Sequence, residues 1–233
     1  MARNGGRYEL AAAAIQPETV QAWVRLARAA TTLTIDVAAQ ELLLMRDAAG
    51  QPFRPSAPPA GMTARIGAVL LLLYPQSQDL CLPLTIRSEL LPNHRGEISL
   101  PGGRTDPEDT GPVATALREC DEEIGVPPAS LEVWGTLPSI YIMPSNFQIT
   151  PVVAFSPSVP TLQINPSEVS SVITLTLREL LDPATVAVER WTLRGTELDV
   201  PFYAVAGQKV WGATALILSE FAARMRHIIQ ETH

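Results

Sequence analysis

Three carboxylates crowd one short stretch of this chain: Glu119, Glu122 and Glu123, directly after Arg118. On a helix at ~100° per residue, Glu119 and Glu123 stand one turn apart and can converge on one point. Glu122 lies beside them, at the spacing of a helical ion pair with Arg118. Like charges held together cost energy unless a cation sits among them. An all-oxygen set of this kind suits Mg²⁺ or Mn²⁺, and a divalent ion so held can activate water and neutralise phosphate oxygens. The plainer alternative is a solvated acidic helix face, the commoner fate of such clusters, so the surrounding sequence has to decide.

The carrier element reads as a helix from about Gly111 to Ile124, with Pro112 in its first turn and Gly125 just past its end. Val113, Leu117, Cys120 and Ile124 form one apolar stripe along it, and the glutamates fall on the opposite side. Cys120 is therefore predicted to be buried and inert. Upstream, Ala68 to Tyr74 is a strand, Pro75 to Asp79 a turn, and Leu80 to Arg87 the return strand of a hairpin. Glu97 to Leu100 is a short strand running into Pro101-Gly102-Gly103. Downstream strands are predicted at Leu131–Leu137, Ile149–Phe155 and Ser171–Leu177, and a last helix from about Gly212 to Ile229. The stripe Ala215, Leu218, Ala222, Met225 and Ile229 on that helix is either core or the contact of a homodimer.

The N-terminal part, to about residue 48, reads as helical. One helix starts at Pro17-Glu18-Thr19 and buries Val20, Trp23, Val24 and Ala27; a second run covers Val37 to Arg46. Four prolines between Gln51 and Gly61 read as a linker. The expected division is thus an N-terminal helical extension and linker over 1–60, and the main domain over 61–233.

The whole is an acidic chain of 233 residues with net charge −7 and no basic run, which argues against a nucleic-acid partner. A small anionic ligand stays compatible if a metal and local arginines invert the field. Two cysteines, Cys81 and Cys120, without any Cys/His cluster, exclude a disulfide framework or structural zinc and suggest a reduced cytoplasmic setting. Arg3, Arg7 and the apolar run Leu10–Ile15 are too weak for a signal peptide. Ala68–Tyr74 is too short to span a membrane.

The segment Gly103, loop, Arg118-Glu119-Cys120-Asp121-Glu122-Glu123-Ile124-Gly125-Val126 resembles the Nudix box, a glycine and loop followed by R-E-U-x-E-E-x-G-U with U apolar. Arg118 falls one residue later than the usual spacing, so the isolated acid of the box is either Glu108 or Asp109. The resemblance implies an α/β/α sandwich with a mixed central sheet, here with the N-terminal helical extension added. It also implies hydrolysis of a nucleoside diphosphate linked to another group. Glu119, Glu122 and Glu123 would hold the metal, with a backbone carbonyl near Gly102–Gly103 as a further ligand.

A second pattern precedes the box. Leu84-Thr85-Ile86-Arg87-Ser88, then Arg95-Gly96-Glu97-Ile98-Ser99 and Leu100-Pro101-Gly102-Gly103, resembles the signature of coenzyme A diphosphatases, with Pro92 where that signature has an arginine. Val210-Trp211-Gly212-Ala213-Thr214-Ala215 and Asn165 to Val169 resemble further segments of that subfamily. The implied substrate is coenzyme A or a derivative, cut to 3′,5′-ADP and 4′-phosphopantetheine. Arg65, Arg87, Arg95 and Arg104 are candidate phosphate contacts, Arg87 and Arg95 foremost, because a guanidinium grips phosphate in a bidentate fork. Gly102 and Gly103 are expected against the substrate as well. Glu168 is a candidate extra ligand or general base from a later loop, or else a cap. Two alternatives stay open: another nucleoside diphosphate derivative such as ADP-ribose or NADH, or a non-catalytic ligand sensor on the same fold.

Overall fold

A computed structural model describes residues 17–38, 41–53, 57–88 and 96–232. Its centre is β1 (Arg65–Gln76), whose run Ala68–Tyr74 is buried on both faces. Successive side chains of a strand point to opposite faces, so a continuous apolar run supports two cores at once. Ala68, Leu70 and Leu72 face one cluster with Ala116, Cys120 and Ile124 of α2 (Pro112–Ile124). Leu71 and Leu73 face the other, with Trp23 and Ala27 of α1 (Val20–Thr32) and Phe221, Ala222 and Met225 of α4 (Gly212–Thr232).

The result is the α/β/α arrangement with a mixed sheet that the sequence leads one to expect. β1 pairs antiparallel with β2 (Asp79–Arg87) and parallel with β7 (Phe147–Phe155). The sheet continues as β3 (Ile98–Ser99), β2, β1, β7 and β5 (Glu132–Thr136); β4 (Gly102–Arg104) lies on β1, β6 (Ile140–Ile142) on β7 and β8 (Val169–Thr176) on β2. The hairpin turn is tighter than predicted. Strand pairing runs on to Gln76↔Asp79, which leaves Ser77 and Gln78 to turn the chain, Ser77 in the left-handed region (φ 56°).

Three stretches depart from the expectations. Residues 37–38 and 41–46 are not helical, because tertiary partners take their backbone groups: the Leu43 N–H donates to Ser219 Oγ (3.0 Å), and Arg46 bridges to Asp199. Just before them, Arg224 donates to the carbonyls of Leu33 and Ile35, holding that segment extended along α4. A second sheet of β9 (Val186–Leu193), β10 (Thr196–Val205) and β11 (Gln208–Trp211) was not foreseen, nor was the short α3 (Leu177–Leu181). The stripe on α4 is internal core, with Ala215, Leu218, Ala222 and Met225 fully buried and Ile229 nearly so. Finally, α1 starts at Thr19 as expected, its hydroxyl capping the Ala22 N–H (3.2 Å), but its buried face shares one core with the main sheet. Among the described residues no helix is long and apolar enough to cross a membrane.

Candidate metal centre

The helix that carries the glutamates is fixed before its chemistry begins. Cys120 and Ile124 are fully buried against β1 and β7, and burial pushes the Cys120 thiol up to about 12, so it is inert as expected. Gly125 ends the helix in the left-handed conformation, its N–H returning to Asp121 O. The loop in front is fastened by Arg118. Its Nε and Nη2 grip both oxygens of Asp109 (3.1 and 2.9 Å), Nη2 also reaches Arg104 O, and Nη1 reaches Glu119 (3.0 Å) and Glu122 (2.9 Å). The isolated acid of the loop is therefore Asp109, and Glu108 is exposed. The Arg118 fork holds the Asp109 carboxyl well below the usual carboxylate range.

Glu119, Glu123 and Glu168 each bring one carboxylate oxygen to within 4.8 Å of the others. Glu122, expected among the ligands, is not in this group; its side chain is half exposed and turned to Arg118. Glu168 joins from the turn before β8, a contact of long sequence separation that no helical spacing could reveal. Glu123 is the buried member at 3% exposure, and its carboxyl is pushed up to about 8. Desolvation is the main cause, and Glu119 and Glu168 add to it. Arg87 and the Gly102 N–H, 3.4 Å from Oε2, oppose it only in part. Burial also raises the Glu119 carboxyl, against the pull of Arg118.

These groups fit a hard divalent cation. The donors are all oxygen, they converge, and the buried carboxylate lacks enough positive charge from the protein to stay ionised near neutrality. Asp121, on the same helix, is outside the cluster.

Gly102 and Gly103 lie in β4 against the cluster, but they serve differently. A Cβ on Gly103 would stand 2.5 Å from the Glu119 carboxylate, a movable group. One on Gly102 would meet the β1 backbone, 2.6 Å from Val69 Cα. Gly103→Ala is accordingly expected to leave the melting temperature near wild type and to weaken Mn²⁺ binding about tenfold or more. Gly102→Ala is expected to cost about 1–3 kcal/mol of stability. Calorimetric melting and titration on the two variants check the contrast; equal loss of stability in both would refute it.

Arg87 stands at the end of β2, near enough for its charge to act on Glu123. A register shift between Ile86 and Arg87 in the β2–β8 ladder turns the strand end here. Among the described residues its Nε is buried with no hydrogen-bond partner, and its charge favours ionised Glu123. Arg65 is engaged elsewhere, over the Phe147 ring and on Ser145 O. Arg104 gives its carbonyl to Arg118 and is exposed. Arg95 and Pro92 lie outside the described residues.

The family model described as the NUDIX domain matches residues 63–194. The chain is 33% identical over 162 residues to the uncharacterized Nudix hydrolase NudL of Photorhabdus laumondii, covering 70% of this chain and 86% of that one. It is 37% identical over 153 residues to Nudix hydrolase 3 of Caenorhabditis elegans, covering 59% and 63% respectively. Among solved structures, a NUDIX hydrolase from Alicyclobacillus acidocaldarius superposes with a TM-score of 0.44 at 16% identity, covering 52% of this chain and 82% of that one.

Proposed function

The chain belongs to the Nudix family of hydrolases acting on diphosphates, and from that premise we propose that its substrate is coenzyme A or a close derivative. The products would be 3′,5′-ADP and 4′-phosphopantetheine. What carries the reading is Arg87, the arginine of the Leu-Thr-Ile-Arg-Ser run. Its charge acts on Glu123, its Nε–H is buried and unpaired among the described residues, and that run leads to Gly102–Gly103 in a sequence that resembles the coenzyme A diphosphatase pattern except at Pro92.

In this reading Glu119, Glu123 and Glu168 hold Mg²⁺ or Mn²⁺. The chemistry such a cation would supply when bound is activation of water and screening of charge on the phosphate oxygens. Glu123, inside the protein, fixes the site's position. Arg87 offers its fork to a phosphate oxygen of the scissile diphosphate, and the Gly102 N–H lends a dipole from the opposite strand. Arg118 acts at one remove, keeping Glu119 and the loop acid Asp109 in place. Arg95 is proposed as a second phosphate contact on the strength of the sequence pattern alone.

The discriminating assay is hydrolysis of coenzyme A, ADP-ribose and NADH under Mg²⁺, followed by chromatography of the nucleotide products. Release of 3′,5′-ADP from coenzyme A should outpace cleavage of the other two by at least about tenfold, the difference of roughly 1.4 kcal/mol that one additional phosphate contact readily supplies. Faster cleavage of ADP-ribose would reject coenzyme A as the preferred substrate.

A further inference from the structure

One asparagine touches two of the three carboxylate-bearing residues. The Asn165 backbone N–H donates to Glu123 O at the end of α2 (2.9 Å). Its side-chain Nδ2 donates to Glu168 Oε1 (3.2 Å). Its backbone carbonyl accepts from the N–H groups of Glu168 (3.0 Å) and Val169 (2.8 Å). Its Oδ1 accepts from the Ser167 N–H (3.1 Å) and hydroxyl (2.6 Å). The last pair settles which way the amide faces. A backbone N–H and a hydroxyl occupy the oxygen side, so the nitrogen side must face Glu168.

The segment around it is a brace between two elements. On the helix side Gln163 N–H donates to Ile124 O (2.8 Å), next to the Asn165–Glu123 bond, so two end carbonyls of α2 are satisfied. On the sheet side Ser88 N–H donates to Glu168 O (2.8 Å) and Ser170 Oγ to Ile86 O (3.0 Å). The backbone of Glu168 is thereby fixed, but its side chain is long and half-buried and retains rotamer freedom. Within the described residues, the Asn165 amide is its hydrogen-bond partner.

We propose that Asn165 is a positioning residue, whose amide nitrogen orients the Glu168 carboxylate toward the pocket shared with Glu119 and Glu123. This rests on the assignment of Glu168 as a metal ligand made above. The amide separates its two tasks by atom: Oδ1 shapes the turn, and Nδ2 aims the ligand. A serine at 165 keeps an acceptor for the Ser167 N–H, because hydroxyls form the same kind of turn, but removes the donor to Glu168.

The test uses Mn²⁺ alone as the probe, titrated into metal-stripped protein and followed by electron paramagnetic resonance, with melting temperature recorded in parallel. Asn165→Ser should weaken Mn²⁺ binding about tenfold, the lower end of the usual effect of a group that orients a ligand, while the metal-free melting temperature stays near wild type. In a Glu168→Gln background the same change should have no further effect on Mn²⁺ binding, because the group it orients is gone. Asn165→Thr repeats the test if the serine variant folds poorly. Ser167→Ala, which loosens the turn without touching Nδ2, should bind Mn²⁺ like wild type. Three results would overturn the proposal. In the first, Asn165→Ser binds Mn²⁺ normally although Glu168→Gln does not. In the second, the two losses simply add. In the third, Glu168→Gln alone has no effect on Mn²⁺ binding, and then the ligand assignment itself falls.

Discussion

Glu123→Gln should lower turnover by on the order of 10²–10³-fold and yet make the metal-free protein more stable at alkaline pH. The two effects share one cause. Glu123 is buried, and its carboxyl is pushed up to about 8 by desolvation and by its acidic neighbours. Between the ordinary glutamate value and about 8, the folded protein holds a proton there that the unfolded chain has released. More protons bound in the folded state means that stability falls as pH rises through this window. The loss reaches up to ~5 kcal/mol once the pH exceeds both values. Glutamine has the same shape and no charge, so the variant should show a flatter profile.

Urea melts in chelator from about pH 5 to pH 9 would display the difference. Wild type should lose stability with rising pH and recover it on addition of Mg²⁺; Glu123→Gln should show both effects much reduced, with Glu119 left as the raised carboxyl. If wild-type stability instead rises over that range, the buried carboxylate is compensated by something other than a cation.

Trp23→Ala should cost about 3–5 kcal/mol, the range for emptying a fully buried aromatic site. Trp23 is completely buried between the main sheet and α4, in one cluster with Leu71, Leu73 and Phe221. Arg178 lies 5.6 Å over its ring and also bonds Pro17 O (2.8 Å), tying the start of α1 to α3. Such a loss is a large share of the stability of an ordinary domain. It should appear as one cooperative transition at lower denaturant, with the slope unchanged. An early separate transition for the N-terminal part would instead support a boundary near residue 60, as the four prolines suggest.

The parts of the fold that were legible from the sequence are those where local signals agree. On α2 the proline, the apolar stripe and the terminal glycine all mark the same helix, and the structure runs from Pro112 to Ile124. β1 and β2 follow in the same way from an apolar run and a turn. Residues 37–38 and 41–46 carry helix-forming side chains yet are not helical, because Ser219 takes the Leu43 N–H and Arg224 takes the Leu33 and Ile35 carbonyls just before them, and tertiary partners override a weak local propensity. The sheet of β9, β10 and β11 could have been found. Arg194-Gly195 and Ala206-Gly207 are two-residue turns with positive φ throughout, between runs of β-forming residues.

The candidate site divides along the same line. The pairing of Glu122 with Arg118 and the convergence of Glu119 with Glu123 follow from helical spacing. The choice of Asp109 over Glu108 depends on how the loop closes and carries no local signature, whereas Glu168 is a candidate through the resemblance of Asn165 to Val169 alone, and its arrival beside the helix depends on long-range packing.

The grip of Arg118 has a bearing on how the pocket takes up its ion. Loop, helix and one carboxylate are tied together through Asp109, Arg104 and Glu119 by contacts that need no metal. The ordering entropy of that region is spent at folding. Capture of a cation then demands release of the Glu123 proton, desolvation and small side-chain swings, with no segment left to fold, so it should be readily reversible and nearly silent in heat capacity, unlike domains whose folding waits upon the metal.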